Sequence, residues 1–213
     1  PSGAAPGAAA GIGAGGEPAY ITGRIMPAPF IHLRARSAYS LLQSAVQIKG
    51  LVKLAAKHEM PALGLTDANN LFGALEFSEA AAEAGIQPII GLSLSVKSEV
   101  GAEGVLALLA QNAAGYANLM QLSSAAFLET DSHDEPHVTL ARVFQHAEGL
   151  IALTGGGEGV LAALLAEGKG DIAETTLAQL EAAFGNRLYV ELHRHAERIE
   201  AETEGALLDL AYA

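Results

Sequence analysis

The sequence predicts an α/β fold, either a layered sheet or a barrel, and three observations support this class. From residue 30 onward, short apolar segments with strand character alternate with segments whose apolar residues follow helical periodicity. Several strand segments are apolar throughout and lead directly into a helix, which is typical of buried parallel strands. Ala-rich helices, such as the one that contains residues 80–82, can pack closely on a sheet. The 213 residues suffice for one domain with a substantial core.

The predicted elements alternate along the whole of this region. In chain order, the predicted strands are 30–34, 62–66, 88–96, 105–110, 150–154 and 188–193. The predicted helices are 46–58, 73–84, 114–127, 140–145, 159–166, 172–184 and 197–211. This alternation favours parallel strands joined by right-handed crossovers. The last helical pattern runs to the end of the sequence without a Gly or Pro stop signal, so we expect the natural protein to continue.

The beginning of the chain has a different composition. Its first 19 residues are mostly Ala, Gly and Pro, and such a stretch cannot offset its ordering entropy by burial. We therefore predict a flexible extension at residues 1–25 and one incomplete domain at residues 26–213. Met26 is a plausible natural start, just before the first predicted strand.

Charge and composition exclude several classes of function. With 12 basic and 24 acidic residues, the net charge of −12 disfavours a groove for the DNA backbone, which requires clustered Lys and Arg. The absence of cysteine excludes disulfides, Cys-type zinc sites and thiol nucleophiles. No long apolar run predicts a membrane span. We expect a cytoplasmic protein.

The segment 30–42 has the pattern of a metal-binding loop whose ligands have been replaced. Arg34 and Arg36 stand two apart, where such a loop would place two histidines, and a guanidinium has no lone pair for a cation. The two arginines could hold a phosphate or a carboxylate. They could instead pair with Glu or Asp from neighbouring loops and fill the space of a metal cluster, which is the interpretation that we favour.

Other polar groups have both a chemical and a structural interpretation. His193 and His195 could share a metal if further ligands lie nearby, or they could be ordinary rim histidines. Asp67 could be a ligand or a base, but fixing a turn is the favoured role. For the remaining candidates we favour structural roles: the glycine loop 154–159 as a flexible loop, Glu76, Glu79 and Glu83 as a solvated helix face, His58 as a helix-end residue, and His133, His137 and His146 as polar loop residues.

Several segments together resemble the N-terminal PHP (polymerase and histidinol phosphatase) domain of bacterial replicative DNA polymerase III alpha subunits. In order, they are 32–34 with 37–42, 60–67, 70–77, 85–91, 108–112, 115–120, 148–155 and 188–192. The resemblance runs from about residue 30 to the end of the sequence. Each segment alone is a weak signal, but their order and density are specific. The resemblance implies a distorted (β/α)₇ barrel, truncated at its C-terminal end.

The resemblance also implies the fate of the family's metal cluster, which consists of His, Asp and Glu side chains at the carboxyl ends of the strands. It matches the ligand positions to Arg34, Arg36, Gln43, Ala68, Ser93 and Val105, with only His195 retained as a ligand. The last family ligands would lie beyond Ala213. One retained histidine cannot hold a metal cluster. We therefore expect no bound metal, no other cofactor and no phosphoesterase activity in this chain.

For the whole protein, the resemblance implies nucleotidyl transfer from deoxynucleoside triphosphates to DNA, with Mg²⁺ in a palm domain outside this chain. The domain itself would be a scaffold and a docking surface for the proofreading exonuclease subunit and other replicase subunits. Three alternatives remain: an active metal-dependent PHP phosphoesterase or 3′–5′ exonuclease, the PHP domain of the related error-prone polymerase, and a module that binds a small anion through its arginines.

Overall fold

The computed structural model describes residues 30–212, so the predicted extension at residues 1–25 and the proposed start at Met26 lie outside the described residues. The strands are β1 (Ala62–Ala68), β2 (Gln87–Lys97), β3 (Glu103–Ala110), β4 (Val138–Thr139), β5 (Leu150–Leu153) and β6 (Leu188–Tyr189). The helices are α1 (Ile48–Lys57), α2 (Ala74–Glu83), α3 (Ala113–Leu128), α4 (Leu140–Gln145), α5 (Val160–Ala166), α6 (Gly170–Phe184) and α7 (Arg198–Tyr212). All the predicted helices are present, within two residues at either end.

The strands of residues 30–212 form one mixed sheet in the order β1-β2-β3-β5-β6, and β4 pairs with β2. β1–β2 and β5–β6 are parallel, as the alternation of strands and helices favoured, but β3 runs antiparallel to both β2 and β5 and departs from that expectation. Residues 98–102 alone connect β2 to β3, and they close a tight turn in which Ser98 N donates to Ala102 O at 2.8 Å. Parallel pairing would require a crossover of about a dozen residues or more, which this connection is too short to supply.

The ends of the sheet also differ from the prediction. Residues 30–34 form no strand, although the chain runs beside β1, where Gly64 N donates to His32 O at 2.7 Å and Ala35 bridges Leu65. The strand predicted at 188–193 ends at Tyr189, and the short β4 was not predicted. The sheet formed by residues 30–212 is open, with β1 and β6 at its edges. The α/β class is confirmed, but these residues do not close a barrel.

The helices cover one face of the sheet and bury an apolar core. In α1, the buried residues Ile48, Val52 and Ala55 follow helical spacing and define the face that packs on β1 and α2. α3 begins at Asn112, whose side chain accepts a hydrogen bond from Gly115 N at 3.0 Å and caps the helix. Within residues 30–212, no helix has both the length and the apolar character needed to cross a membrane.

The opposite face of the sheet is also apolar, and it forms the floor of a large cavity. Because side chains alternate along a strand, Leu106 and Leu108 of β3 enter the helix-covered core, whereas Ala107 and Leu109 belong to a second cluster with Leu153. This second cluster lies under a cavity of about 1310 Å³. The polar wall of the cavity contains both candidate arginines, which places the candidate site here.

Candidate functional site

Arg34 extends from the segment before β1 into the cavity and is largely buried. Its side chain is only 12% exposed and makes two ion pairs, from Nη2 to Glu158 Oε2 at 2.9 Å and from Nη1 to Glu191 Oε2 at 3.1 Å. Nη2 also lies 3.4 Å from the hydroxyl of Ser93. The positive charge of Arg34 is thus matched by carboxylates from two other segments of the chain.

Arg36 points to the same carboxylate. Its Nη2 donates to Glu158 Oε2 at 2.7 Å, and its Nη1 donates to Glu158 Oε1 at 3.3 Å, which is the forked geometry that suits a guanidinium and a carboxylate. Glu158 therefore bridges both arginines. Burial alone would raise the pKa of Glu158, but the hydrogen bonds and charges of Arg36 and Arg34 outweigh burial and lower that pKa below its ordinary value.

The glycine loop that carries Glu158 is closely packed, so its interpretation as a flexible loop is wrong. Residues Gly156–Glu158 form a 3₁₀ turn directly after β5. Gly155 has a φ of 87°, and a Cβ there would lie 2.1 Å from the carbonyl oxygen of Val105. Only glycine combines this backbone conformation with so close an approach. The packing of the loop on β3 fixes the position of Glu158 opposite the arginines.

The other positions that the resemblance matches to family ligands offer little to a metal. Gln43 is exposed and lines the cavity, whereas the side chains of Ala68 and Val105 have no donor atom. Ser93 is buried, and its hydroxyl donates to Thr66 O at 3.1 Å. His195 lines the cavity with an exposed side chain. The structure thus gathers Arg34, Arg36, Gln43 and His195 around one cavity. Ser93 does not line the cavity, but its hydroxyl contacts Arg34.

Asp67, at the end of β1, holds the arginine segment in place. Its Oδ1 accepts hydrogen bonds from Ser37 N and Ser40 Oγ, both at 2.6 Å, and its Oδ2 accepts from Ser37 Oγ at 2.7 Å. Asp67 is only 2% exposed. Since both carboxylate oxygens are engaged, the arrangement supports the structural role that the sequence favoured.

His193 and His195 follow β6 and lie at the rim of the same cavity. His193 Nε2 is 3.0 Å from Glu191 Oε1 and 3.2 Å from Arg34 Nη1. His195 Nδ1 is 3.0 Å from Glu200 Oε1, near the start of α7. The two imidazole rings are 5.1 Å apart between centroids.

The other candidates have local structural contacts. Glu76 accepts a hydrogen bond from the Tyr39 hydroxyl at 3.2 Å, which raises the pKa of Tyr39. His58 is the C-cap residue of α1. His146 lies 2.9 Å from Arg142 O and 2.9 Å from Gln121 Oε1, and so links α4 to α3. None of these groups lines the cavity.

Sequence reasoning missed the three carboxylates that complete the site, namely Glu158, Glu191 and Glu200. Glu158 had a usable signal, because it is the only charged residue of the glycine loop 154–159. Glu191 lies towards the carboxyl end of the predicted strand 188–193, where cavity-facing residues are common in α/β folds. Glu200 lies within an ordinary helical pattern, and the sequence offers no signal for it.

The fold and the site define a class: an α/β protein in which one apolar face of the sheet forms the floor of a cavity and charged side chains form part of its wall. A family model for the PHP domain matches residues 32–195, so the chain belongs to the PHP domain family.

Relatives of the chain point to one branch of this family. It is 48% identical over 193 residues to a DNA polymerase III subunit alpha of Caulobacter vibrioides, covering 86% of this chain and 17% of that protein. The corresponding protein of Rickettsia bellii is 41% identical over 170 residues, with 80% and 14% covered. An error-prone DNA polymerase of Symbiobacterium thermophilum is 37% identical over 199 residues, with 86% and 18% covered. The chain is thus homologous to polymerase subunits but spans less than a fifth of their length.

Proposed function

We propose that this domain belongs to a bacterial DNA polymerase III alpha subunit and acts there as a scaffold and docking domain without phosphoesterase chemistry of its own. One observation carries the proposal: Arg34 and Arg36, which the resemblance matches to two ligand positions of the family, share the carboxylate of Glu158. The arginines and their carboxylates use the space and the charge that a metal cluster would need.

The residues at the family positions do not fit the implied metal cluster. A guanidinium stays protonated and has no lone pair, so Arg34 and Arg36 would repel a divalent cation. The side chains of Ala68 and Val105 supply no ligand atom. The Ser93 hydroxyl donates a hydrogen bond to the carbonyl oxygen of Thr66. We therefore derive no hydrolytic step through this cluster. The same geometry disfavours an anion module, because carboxylates already occupy the faces of both arginines.

For the whole protein we propose DNA-directed nucleotidyl transfer from deoxynucleoside triphosphates, with Mg²⁺ in a palm domain beyond this segment. The support is homology alone, since the chain spans only 17% of its relative from Caulobacter vibrioides. The replicative form is favoured over the error-prone form because identity is 48% to the former and 37% to the latter over similar lengths.

The proposed partners are the proofreading exonuclease subunit and other replicase subunits. A net charge of −12 makes this part of the protein a poor surface for the DNA backbone and is compatible with protein partners. Cross-linking with mass spectrometry would test this, using the full-length polypeptide and the exonuclease subunit of the same organism. We expect cross-links within residues 30–212. A bound complex whose cross-links all lie elsewhere would exclude docking on this domain.

An assay for hydrolysis tests the proposed lack of chemistry. The purified chain, stripped with a chelator and reloaded with Mn²⁺ or Zn²⁺, should hydrolyse neither bis(p-nitrophenyl) phosphate nor the 3′ end of a labelled primer. A known metal-dependent phosphoesterase serves as the positive control. Metal-dependent turnover that copurifies with the chain and is lost in Arg34→Ala would overturn the proposal.

A further inference from the structure

Three side chains at the cavity rim converge away from the arginine pair. His193, His195 and Glu200 each place one ligand atom so that the three atoms lie within 4.8 Å of one another. His195 Nδ1 and Glu200 Oε1 are only 3.0 Å apart. His195 is the retained family ligand, whereas the other two occupy no family ligand position.

The distances suit a transition metal after a small adjustment. Two imidazoles and one carboxylate are a known ligand set for zinc, with a fourth position left for water. Metal–ligand bonds of about 2.0–2.1 Å in a tetrahedron place neighbouring ligand atoms about 3.3 Å apart. The pair at 3.0 Å already meets this spacing. The remaining separation can close by rotation of His195, whose side chain is 71% exposed.

Glu191 supplies the outer hydrogen bond that a metal-bound histidine usually makes. His193 Nε2 lies 3.0 Å from Glu191 Oε1, and when Nε2–H donates to this carboxylate, Nδ1 keeps its lone pair. Among residues 30–212, Nδ1 of His193 has no hydrogen-bond partner. Arg34 Nη1 lies 3.2 Å from the same Nε2, so metal binding through Nδ1 requires the tautomer in which Nε2–H donates to Glu191 and not the one in which Nε2 accepts from Arg34.

Glu200 is held in place by two backbone N–H groups. Its Oε2 accepts hydrogen bonds from the backbone N–H of His195 at 2.6 Å and of Glu197 at 3.2 Å. The carboxylate of Glu200 is therefore fixed, and it lies beside the exposed imidazole of His195.

The glycine loop makes room for this arrangement. A Cβ at Gly156 would lie 2.6 Å from His193 Nδ1, and a Cβ at Gly157 would lie 2.8 Å from Glu200 Cγ. A side chain at either position would displace one of the three residues. The geometry thus points to a built site, and we propose that His193, His195 and Glu200 bind one transition-metal ion of the zinc type at the cavity rim. This inference does not depend on the proposed function, because Glu158, which holds both arginines, is not one of the three proposed ligands.

Calorimetric titration of the untagged, chelator-treated chain with Zn²⁺ tests the proposal, with Co²⁺ absorption as a second readout of tetrahedral nitrogen and oxygen ligation. We expect one ion per chain. His193→Ala and His195→Ala should each weaken binding at least about tenfold. The matched control is His133→Ala, which removes an exposed histidine from the acidic loop 129–136 and should leave binding unchanged.

Circular dichroism checks that each variant is folded. His195→Ala should disturb the fold least, because the His195 side chain is exposed. Absence of stoichiometric binding, or equal affinity in wild type and His195→Ala, would overturn the inference. Zinc binding without hydrolysis supports both proposals. Zinc binding with phosphoester hydrolysis supports this site and contradicts the proposed function, so the two proposals fail separately.

Discussion

A single carboxylate accounts for the organisation of the arginine pair. Two guanidinium groups share the carboxylate of Glu158. These ion pairs tie the segment before β1 to the loop after β5. In a half-buried setting such pairs contribute to stability only when both partners stay matched.

Glu158→Gln should therefore destabilise the domain. The substitution keeps the shape of the side chain but leaves Arg36 without its carboxylate and leaves Arg34, whose side chain is only 12% exposed, with Glu191 as its remaining carboxylate partner. We expect a loss of about 1–2 kcal/mol, less than for a fully buried pair because Glu158 is 48% exposed. Urea denaturation followed by circular dichroism measures it. Glu167→Gln, which breaks an exposed pair with Lys169, should cost less than about 0.5 kcal/mol, and an equal loss in both variants would contradict the role of Glu158.

The stabilisation by Glu158 should depend on pH. Because the folded state lowers its pKa below the ordinary 4.5, the folded state binds fewer protons than the unfolded state in this range. The contribution is fully present above about pH 4.5 and is lost as the pH falls through the lowered value. The difference in unfolding free energy between wild type and Glu158→Gln should shrink between pH 7 and pH 3. A constant difference would show that the charge of Glu158 is irrelevant.

Asp67→Ala should be more damaging. It removes the acceptor for Ser37 N, Ser37 Oγ and Ser40 Oγ in a position that is 2% exposed. Buried donors without partners cost about 1–3 kcal/mol each, so the loss of the acceptor for three donors should cost at least about 3 kcal/mol. Thermal and urea unfolding measure it, with Asp134→Ala in the exposed loop as control. A loss as small as that of the control would refute the anchoring role.

At the scale of elements, the turn after β5 decides where the site forms. Gly155 closes on β3, and the 3₁₀ turn that follows points Glu158 at the arginines. The loop had the composition of a flexible segment, but glycine also permits close backbone approach, and the latter use prevails here. Contact with the neighbouring strand β3 determines whether the loop is flexible or closely packed. A local sequence pattern does not record this contact.

Gly155→Ala tests this packing against a matched glycine. Gly155 and Gly101 both have positive φ values, 87° and 80°, but only at Gly155 would a Cβ meet another atom, the Val105 oxygen at 2.1 Å. We expect Gly101→Ala to cost about 1 kcal/mol from backbone strain and Gly155→Ala to cost more than about 2 kcal/mol. Urea denaturation of both variants measures the difference. An equal loss of unfolding free energy in both variants would show that the structure relieves the contact between residue 155 and β3 without a free-energy cost.

At the scale of the molecule, the positions that the resemblance matches to family ligands are spread over the fold. They lie before β1, at the end of β1, in β2, in β3 and after β6. Replacing the two arginines alone should not rebuild the cluster, because Ala68 and Val105 still supply no ligand. The double variant Arg34→His/Arg36→His should bind no more metal per chain than wild type and should hydrolyse no phosphoester. Elemental analysis and a phosphodiesterase assay check this, and a gain in both would show that the arginines alone block the family chemistry.

The helices of the fold could be predicted closely, whereas the sheet could not. Helical periodicity, as in α1, involves residues three or four apart in the chain, so the sequence shows it without knowledge of tertiary contacts. The direction of β3 depends on its partners, although the five residues between β2 and β3 already exclude a crossover. Residues 30–34 have strand character but run beside β1 with only one isolated bridge.

The sequence by itself determined that this is an α/β domain of the PHP type and that Arg34 and Arg36 stand two apart with guanidinium groups that cannot bind a cation, because residue chemistry does not depend on contacts. Only the tertiary structure decided that Glu158 holds both arginines and that Glu200 meets His195. Glu158 is 122 residues from Arg36 along the chain. Such a pairing arises from how strands and loops pack together, and a one-dimensional pattern does not record distance in space.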